Sequence, residues 1–228
     1  MSSPKAVVGG LAFLILLFAS ANLARADVVT IAANDTGSYR SDGFHDAAYQ
    51  TYIAGHFDGQ DYRNYLIFNL SGVSGTVTGA TIQIFSAFRA GSPGIYILFD
   101  VSTPASILMA SNSGSTGIAI FNDLGSGTEY GKIRVGLTDN GVVLTINLNA
   151  AAVAALNATG GGIFAVGGFF TAPSAPADSF VFGGSERDPR NRLILSVTGA
   201  VPEPMTILLL GTGLAGLVGT VRQRGKKS

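Results

Sequence analysis

Cysteine and tryptophan are both absent from the 228 residues, and histidine occurs only twice. Without cysteine there can be no disulfide staple, no thiol nucleophile and no thiolate-held metal. Without tryptophan the largest flat stacking surface is missing, so ring stacking on a ligand would fall to tyrosine and phenylalanine. Charge is sparse as well, at 12% of residues, and its formal sum is zero. That zero hides a separation. Six of the 14 Lys and Arg lie near the ends, at Lys5, Arg25, Arg222, Arg224, Lys226 and Lys227, whereas Glu203 is the one acid outside residues 27–200. The middle of the chain therefore sets eight cations against thirteen acids, a balance of −5 with Lys132 its single lysine. Such a body is poorly suited to nucleic acid or to an anionic membrane surface.

Both ends read as addresses. Lys5 precedes an apolar run over Ala6–Ala21, and Ala24-Arg25-Ala26 supplies a small-x-small site before Asp27. This order is that of a secretory signal peptide spanning residues 1–26, expected to be helical and cut by signal peptidase. At the other end, Val201-Pro202-Glu203-Pro204 opens residues 201–228. A residue before proline is pushed out of the α region, so this tetrapeptide is held extended. Seventeen uncharged residues follow, Met205–Val221. As a helix they would rise ~26 Å, enough for a thin transmembrane span. Arg222, Arg224, Lys226 and Lys227 then form a basic stop that belongs on the cytoplasmic side.

The tail resembles the PEP-CTERM sorting signal of exported bacterial proteins: Pro-Glu-Pro, a glycine-containing apolar segment, then Arg and Lys. That resemblance implies recognition by an exosortase, a membrane transpeptidase, with transient anchoring followed by delivery to the cell surface or the exterior. Bacteria using such signals often make exopolysaccharide, which makes a surface or matrix role in biofilm the expected function. A dedicated carbohydrate-binding module or carbohydrate-active enzyme is the alternative.

Residues 27–200 read as one all-β domain. Short β-branched and aromatic runs are separated by Gly, Ser, Thr, Asn and Asp. The candidate strands are Asp27–Ala33, Asn64–Leu70, Ala80–Ser86, Gly94–Val101, Lys132–Gly136, Val142–Leu148, Gly162–Phe170, Ser179–Phe182 and Arg192–Thr198. Alternation in Ala80–Phe85 and Val142–Leu148 predicts strands with one wet face, placing Phe68, Ile82, Ile84, Leu144, Ile146 and Leu195 inside. One short helix is expected over Ala150–Leu156, capped by Asn149 and ended by Gly160-Gly161-Gly162. The pattern predicts an antiparallel β-sandwich. Arg63–Ser71, Gly79–Ile84 and Asn191–Val197 further resemble strands of DNRLRE-type domains, with Asn69 where an Asp is usual. That resemblance implies a jelly-roll plan and no activity.

The chemistry-bearing residues gather in a loop-like stretch, Ser38–Tyr65, which holds both histidines, His45 and His56, with Asp42, Asp46, Asp58 and Asp61. It carries five tyrosines, Phe44 and Phe57. Neither a nucleophile elbow nor a His-Glu-x-x-His motif nor a phosphate loop is present, and the reading is non-enzymatic. Tyr49, Tyr52, Asp58 and Asp61 are candidate glycan contacts. No cofactor is required by the sequence. Calcium is a candidate at Asp58 and Asp61 or at Glu186 and Asp188, where oxygen ligands cluster without EF-hand spacing. Phe121–Gly131 is expected as a tight surface loop whose Asp123, Ser126 and Glu129 could meet glycan hydroxyls.

Overall fold

Strand β5, Thr76–Ser86, shows how the core is made. From Val77 and then from Ala80 to Ser86, every second side chain is buried, so one face is dry and the other wet. A computed structural model describes residues 26–172, 178–183 and 188–199. In chain order its elements are β1 Ala26–Ala32, β2 Asp35–Arg40, β3 Ala54–Phe57, β4 Gln60–Asn69, β5, β6 Phe88–Ala90 and β7 Gly94–Asp100. Helices α1 Ala105–Leu108 and α2 Gly114–Asp123 follow, then β8 Glu129–Val135, β9 Val142–Asn147 and α3 Ala150–Ala158. The last strands are β10 Ile163–Thr171, β11 Ser179–Gly183 and β12 Arg192–Thr198.

All the strand pairings are antiparallel, in two sheets. The smaller runs β1-β12-β5-β9, and the larger is built on β4, which pairs with β2, β3 and β10. From β10 the larger sheet continues through β7 to β8, and from β3 through β11 to β6. One apolar core joins them: Ile82, Ile84, Leu144, Ile146 and Leu195 of the smaller sheet pack with Leu66, Phe68, Phe164 and Val166 of the larger. The six side chains expected inside are all buried. A second cluster, with Tyr39, Tyr65 and Ile67 under Leu108, Ile120 and Phe121, fastens α1 and α2 to the opposite face of β2 and β4.

The expected helix is present and capped as read, the Asn149 Oδ1 accepting the Ala152 N–H at 3.1 Å. It is not alone. Helices α1 and α2 were not foreseen, because Gly-Ser-Thr-Gly-Ile-Ala-Ile-Phe-Asn-Asp carries two glycines and few strong helix formers. Its helix is held by packing and by Asp123, whose carboxylate accepts the backbone N–H and hydroxyl of both Ser102 and Thr103. Phe121–Gly131 is accordingly not one surface loop: it ends α2, turns, and begins β8. Asp123 is spent on its own scaffold.

The stretch Ser38–Tyr65 is also more ordered than a loop. It contains the second half of β2, all of β3 and the first half of β4. Asp58 and Gly59, at φ +50° and +71°, form the two-residue turn of the β3–β4 hairpin, with Phe57 opposite Gln60. Asp-Gly is the favoured pair for a turn with both central residues at positive φ.

Among the described residues, no helix is long and apolar enough to cross a membrane. The expected signal and transmembrane helices, with Ala24, Val201, Pro202, Glu203, Pro204, Arg222, Arg224, Lys226 and Lys227, lie outside them. Ala26 and Asp27, expected to flank the leader's cleavage point, open β1 and stand opposite Thr198 and Val197 of β12.

Candidate functional site

A cross-strand row organises the exposed aromatics. Arg40 of β2 faces Tyr62 of β4, Tyr62 faces Gly55 of β3, and Gly55 faces Phe180 of β11. Directly opposed residues point to one face of a sheet, and so do residues two apart along a strand. Ser38 and Phe57 therefore join the row's face. Phe88, Phe180, Phe57 and Tyr62 form a chain of rings, with centroids 5.8, 4.9 and 6.4 Å apart. The segment between β2 and β3 brings Phe44, Tyr49 and Ile53 to the same place. The result is a hollow of about 390 Å³, within the range of small-molecule sites.

Four of its rings are open to solvent. Tyr49 is 65% exposed, Phe88 52%, Phe44 44% and Phe57 40%. Several large apolar side chains left wet together are the informative kind of exposure. The cation at the rim, Arg40, is matched. Arg40 binds Asp42 through both Nε and Nη2, and its guanidinium lies 4.7 Å from the Phe44 centroid. The bond from Arg40 holds the Asp42 carboxyl below its usual range.

Behind the hollow stands a buried polar network. His45 is 3% exposed and stacks on Tyr39 at 4.4 Å. Its Nδ1 is 3.0 Å from the Ser38 carbonyl, an acceptor only, so Nδ1 carries the proton. Tyr65 donates its hydroxyl to Asp35 at 3.1 Å. Paired backbone bonds between His45 and Asn112 tie this segment to the start of α2. Burial pushes the His45 pKa below its ordinary value, and it raises that of Tyr65. Phe182 adds strain two residues from Phe180: it is fully buried at φ +62°, a region that bulky side chains rarely enter. Strain of that kind gathers at functional sites.

The sequence-derived glycan contacts divide. Tyr49 lies at the hollow with its ring exposed. Tyr52 does not: it is fully buried, gives its hydroxyl to the Phe85 carbonyl at 2.9 Å and packs beside Phe182. With no free ring face it cannot stack on a sugar, and its place as a contact is corrected. Asp58 is a turn residue, and Asp61 sits 2.7 Å from His56 Nδ1. For calcium, Asp188 is engaged by Arg190 through both carboxylate oxygens, at 2.8 and 2.7 Å, while Glu186 lies outside the described residues. Phe88, Phe180 and Arg40 were not singled out by sequence. They come from separated strands and meet only through register.

A second hollow, about 270 Å³, includes His56, Asp61 and Arg63. Neighbours in β3, His56 and Phe57 leave the sheet on opposite sides. Arg63 lies 4.3 Å from the Phe121 centroid and 5.2 Å from that of Phe169, and donates to the Phe121 carbonyl at 2.9 Å. Gly125 leaves room for the guanidinium: a Cβ there would lie 2.5 Å from Arg63 Nε and displace it. A His–Asp pair can move a proton, but Ser179, directly across from His56, is 3% exposed and turns its hydroxyl to the Ser92 carbonyl. No family model matches the chain, and no curated protein matches it.

Proposed function

We propose that this is an exported, non-enzymatic protein of the bacterial surface or matrix, holding polysaccharide in the aromatic hollow between β2, β3 and β11. On this reading the β-sandwich has a jelly-roll plan. It is delivered by the N-terminal signal peptide and processed at Val201–Pro204 by an exosortase, with Met205–Val221 as a transient anchor. The carrying observation is the exposed ring set, Phe44, Tyr49, Phe57 and Phe88, around one concave face. The C–H faces of pyranose rings lie flat on aromatic faces, and preformed concavity reduces the ordering cost of binding. The same hollow favours a binding module over a purely structural sandwich. A hydrolase would need two facing carboxylates across a groove; Asp42 and Asp46 at this rim are held by Arg40 and by the Ala48 N–H.

Binding of the full-length chain to insoluble polysaccharides and to matrix from a producing bacterium tests the reading. Tyr49→Ala is expected to release at least about tenfold more protein from the polymer at an unchanged melting temperature. Retention equal to the unsubstituted chain would place binding elsewhere and sink the proposal.

A further inference from the structure

Resting on that reading, we infer that the hollow selects acetamido sugars, neutral hexopyranoses in which an N-acetyl group replaces a hydroxyl. Few hydrogen-bonding groups line the hollow, and most are already engaged. Ser38 gives its hydroxyl to the Thr51 carbonyl at 3.0 Å, and its own carbonyl takes the His45 ring. Asp46 Oδ1 accepts the Ala48 N–H at 2.9 Å. Asp42 is held by Arg40 and by the Phe44 N–H at 3.0 Å. Each is thus engaged before any ligand arrives, which leaves the second oxygen of Asp46 and the hydroxyls of Tyr49 and Thr51 beside the large apolar side chains Phe44, Ile53, Phe57, Phe88 and Phe180.

A sugar bearing only hydroxyls would bury several of them against phenylalanine, and a polar group buried without a partner is costly. An acetamido group suits the surface better. Its methyl can rest on the exposed rings of Phe57 and Phe88, and its carbonyl needs one donor. Arg40 has five N–H donors, of which Asp42 takes two and Tyr62 a third. The guanidinium therefore retains N–H groups for a carbonyl at the rim. Charge points the same way. Arg40 is already neutralised by Asp42, and Asp46 leaves the rim slightly negative, so a uronate finds no unpaired cation there. A free amino sugar would lose the apolar contact.

Three β-1,4-linked hexasaccharides that differ only at C2 test this: those of N-acetylglucosamine, glucose and glucosamine. Titration calorimetry with the full-length chain is expected to show the acetylated hexamer binding at least about tenfold more tightly than either other. Tyr49→Ala and Phe57→Ala should each remove most of that affinity. Phe57→Ala also touches Phe180, so a thermal melt accompanies it, and the more exposed Tyr49→Ala carries the test if Phe57→Ala fails to fold. Equal affinity for the glucose hexamer would overturn the acetamido preference while leaving glycan binding standing. Failure of all three sugars to bind, with polymer retention intact in the earlier assay, would also overturn it. Failure in both assays would remove the glycan reading itself.

Discussion

At the scale of single residues, His45 is the group whose state acid should change. Its ring is enclosed by Tyr39 and Tyr65, donates from Nδ1 to the Ser38 carbonyl, has Nε2 3.5 Å from the Tyr65 hydroxyl, and has Asp35 and Asp46 as its nearby charges. The carboxylates favour its protonation, but burial outweighs them and lowers the pKa. The unfolded chain, with a histidine near its ordinary pKa of ~6.5, then binds more protons than the folded chain just below that pH. Stability is therefore expected to fall as pH drops through about 6.5 and to level once the folded-state pKa is passed. His45→Gln should flatten this part of the profile. Melting temperatures between pH 5 and 7.5 for both proteins check it, and parallel curves would assign the acid sensitivity to other groups. Arg89 shows the opposite management of a buried charge. It is 4% exposed and, among the described residues, donates to the carbonyls of Gly136, Ala90, Gly91 and Ser92, whose dipoles offset its charge.

At the scale of elements, β4 joins the two halves of the larger sheet and carries both cores. Leu66 and Phe68 face the space between the sheets, while Tyr65 and Ile67 face α1 and α2. Phe68→Ala is expected to cost about 3–5 kcal/mol through lost burial and the cavity left behind. Denaturant unfolding measures this, and a loss below about 1 kcal/mol would mean that the site collapses to fill itself. Strands such as β5 and β9 were legible because one face is wet, which writes a period of two into the sequence. Strands β2, β3 and β6 were not. Asp-Thr-Gly-Ser-Tyr-Arg has no apolar alternation; its Thr36 and Ser38 are positioned by hydrogen bonds to the carbonyls of Gln50 and Thr51. Asp58-Gly59 is the favoured dipeptide for the β3–β4 hairpin turn, whereas charge alone pairs Asp58 with Asp61 as candidate ligands. Composition pointed to the aromatic segment, and Tyr49 of that segment lies exposed at the hollow. Tyr52, three residues on, showed the same composition and went to the core, because only register decides which ring is left outside.

At the scale of the whole molecule, processing and fold make separate claims. Replacing Pro202 and Pro204 together by alanine should relax the extended backbone and block the proposed sorting cut while leaving export intact. Mass spectrometry of membrane and culture fractions from the natural host would then find the uncut chain in the membrane. Normal maturation of the double variant would reduce the tail to an anchor. The pairing of β1 with β12 has a further consequence, for the order of events in time. Strand β1 is made first among the strands and has β12, made last, as its sheet partner. Contacts so distant in sequence slow folding, because the loop must close before the pairing rewards it. The smaller sheet therefore cannot be completed on the ribosome or part-way through a translocation channel. Until residue 198 is free, β1 waits as an unpaired apolar strand, open to pairing with neighbouring chains. Its vulnerable period is the interval between its own emergence and that of β12, and slowing delivery of the C-terminal strand should lengthen it.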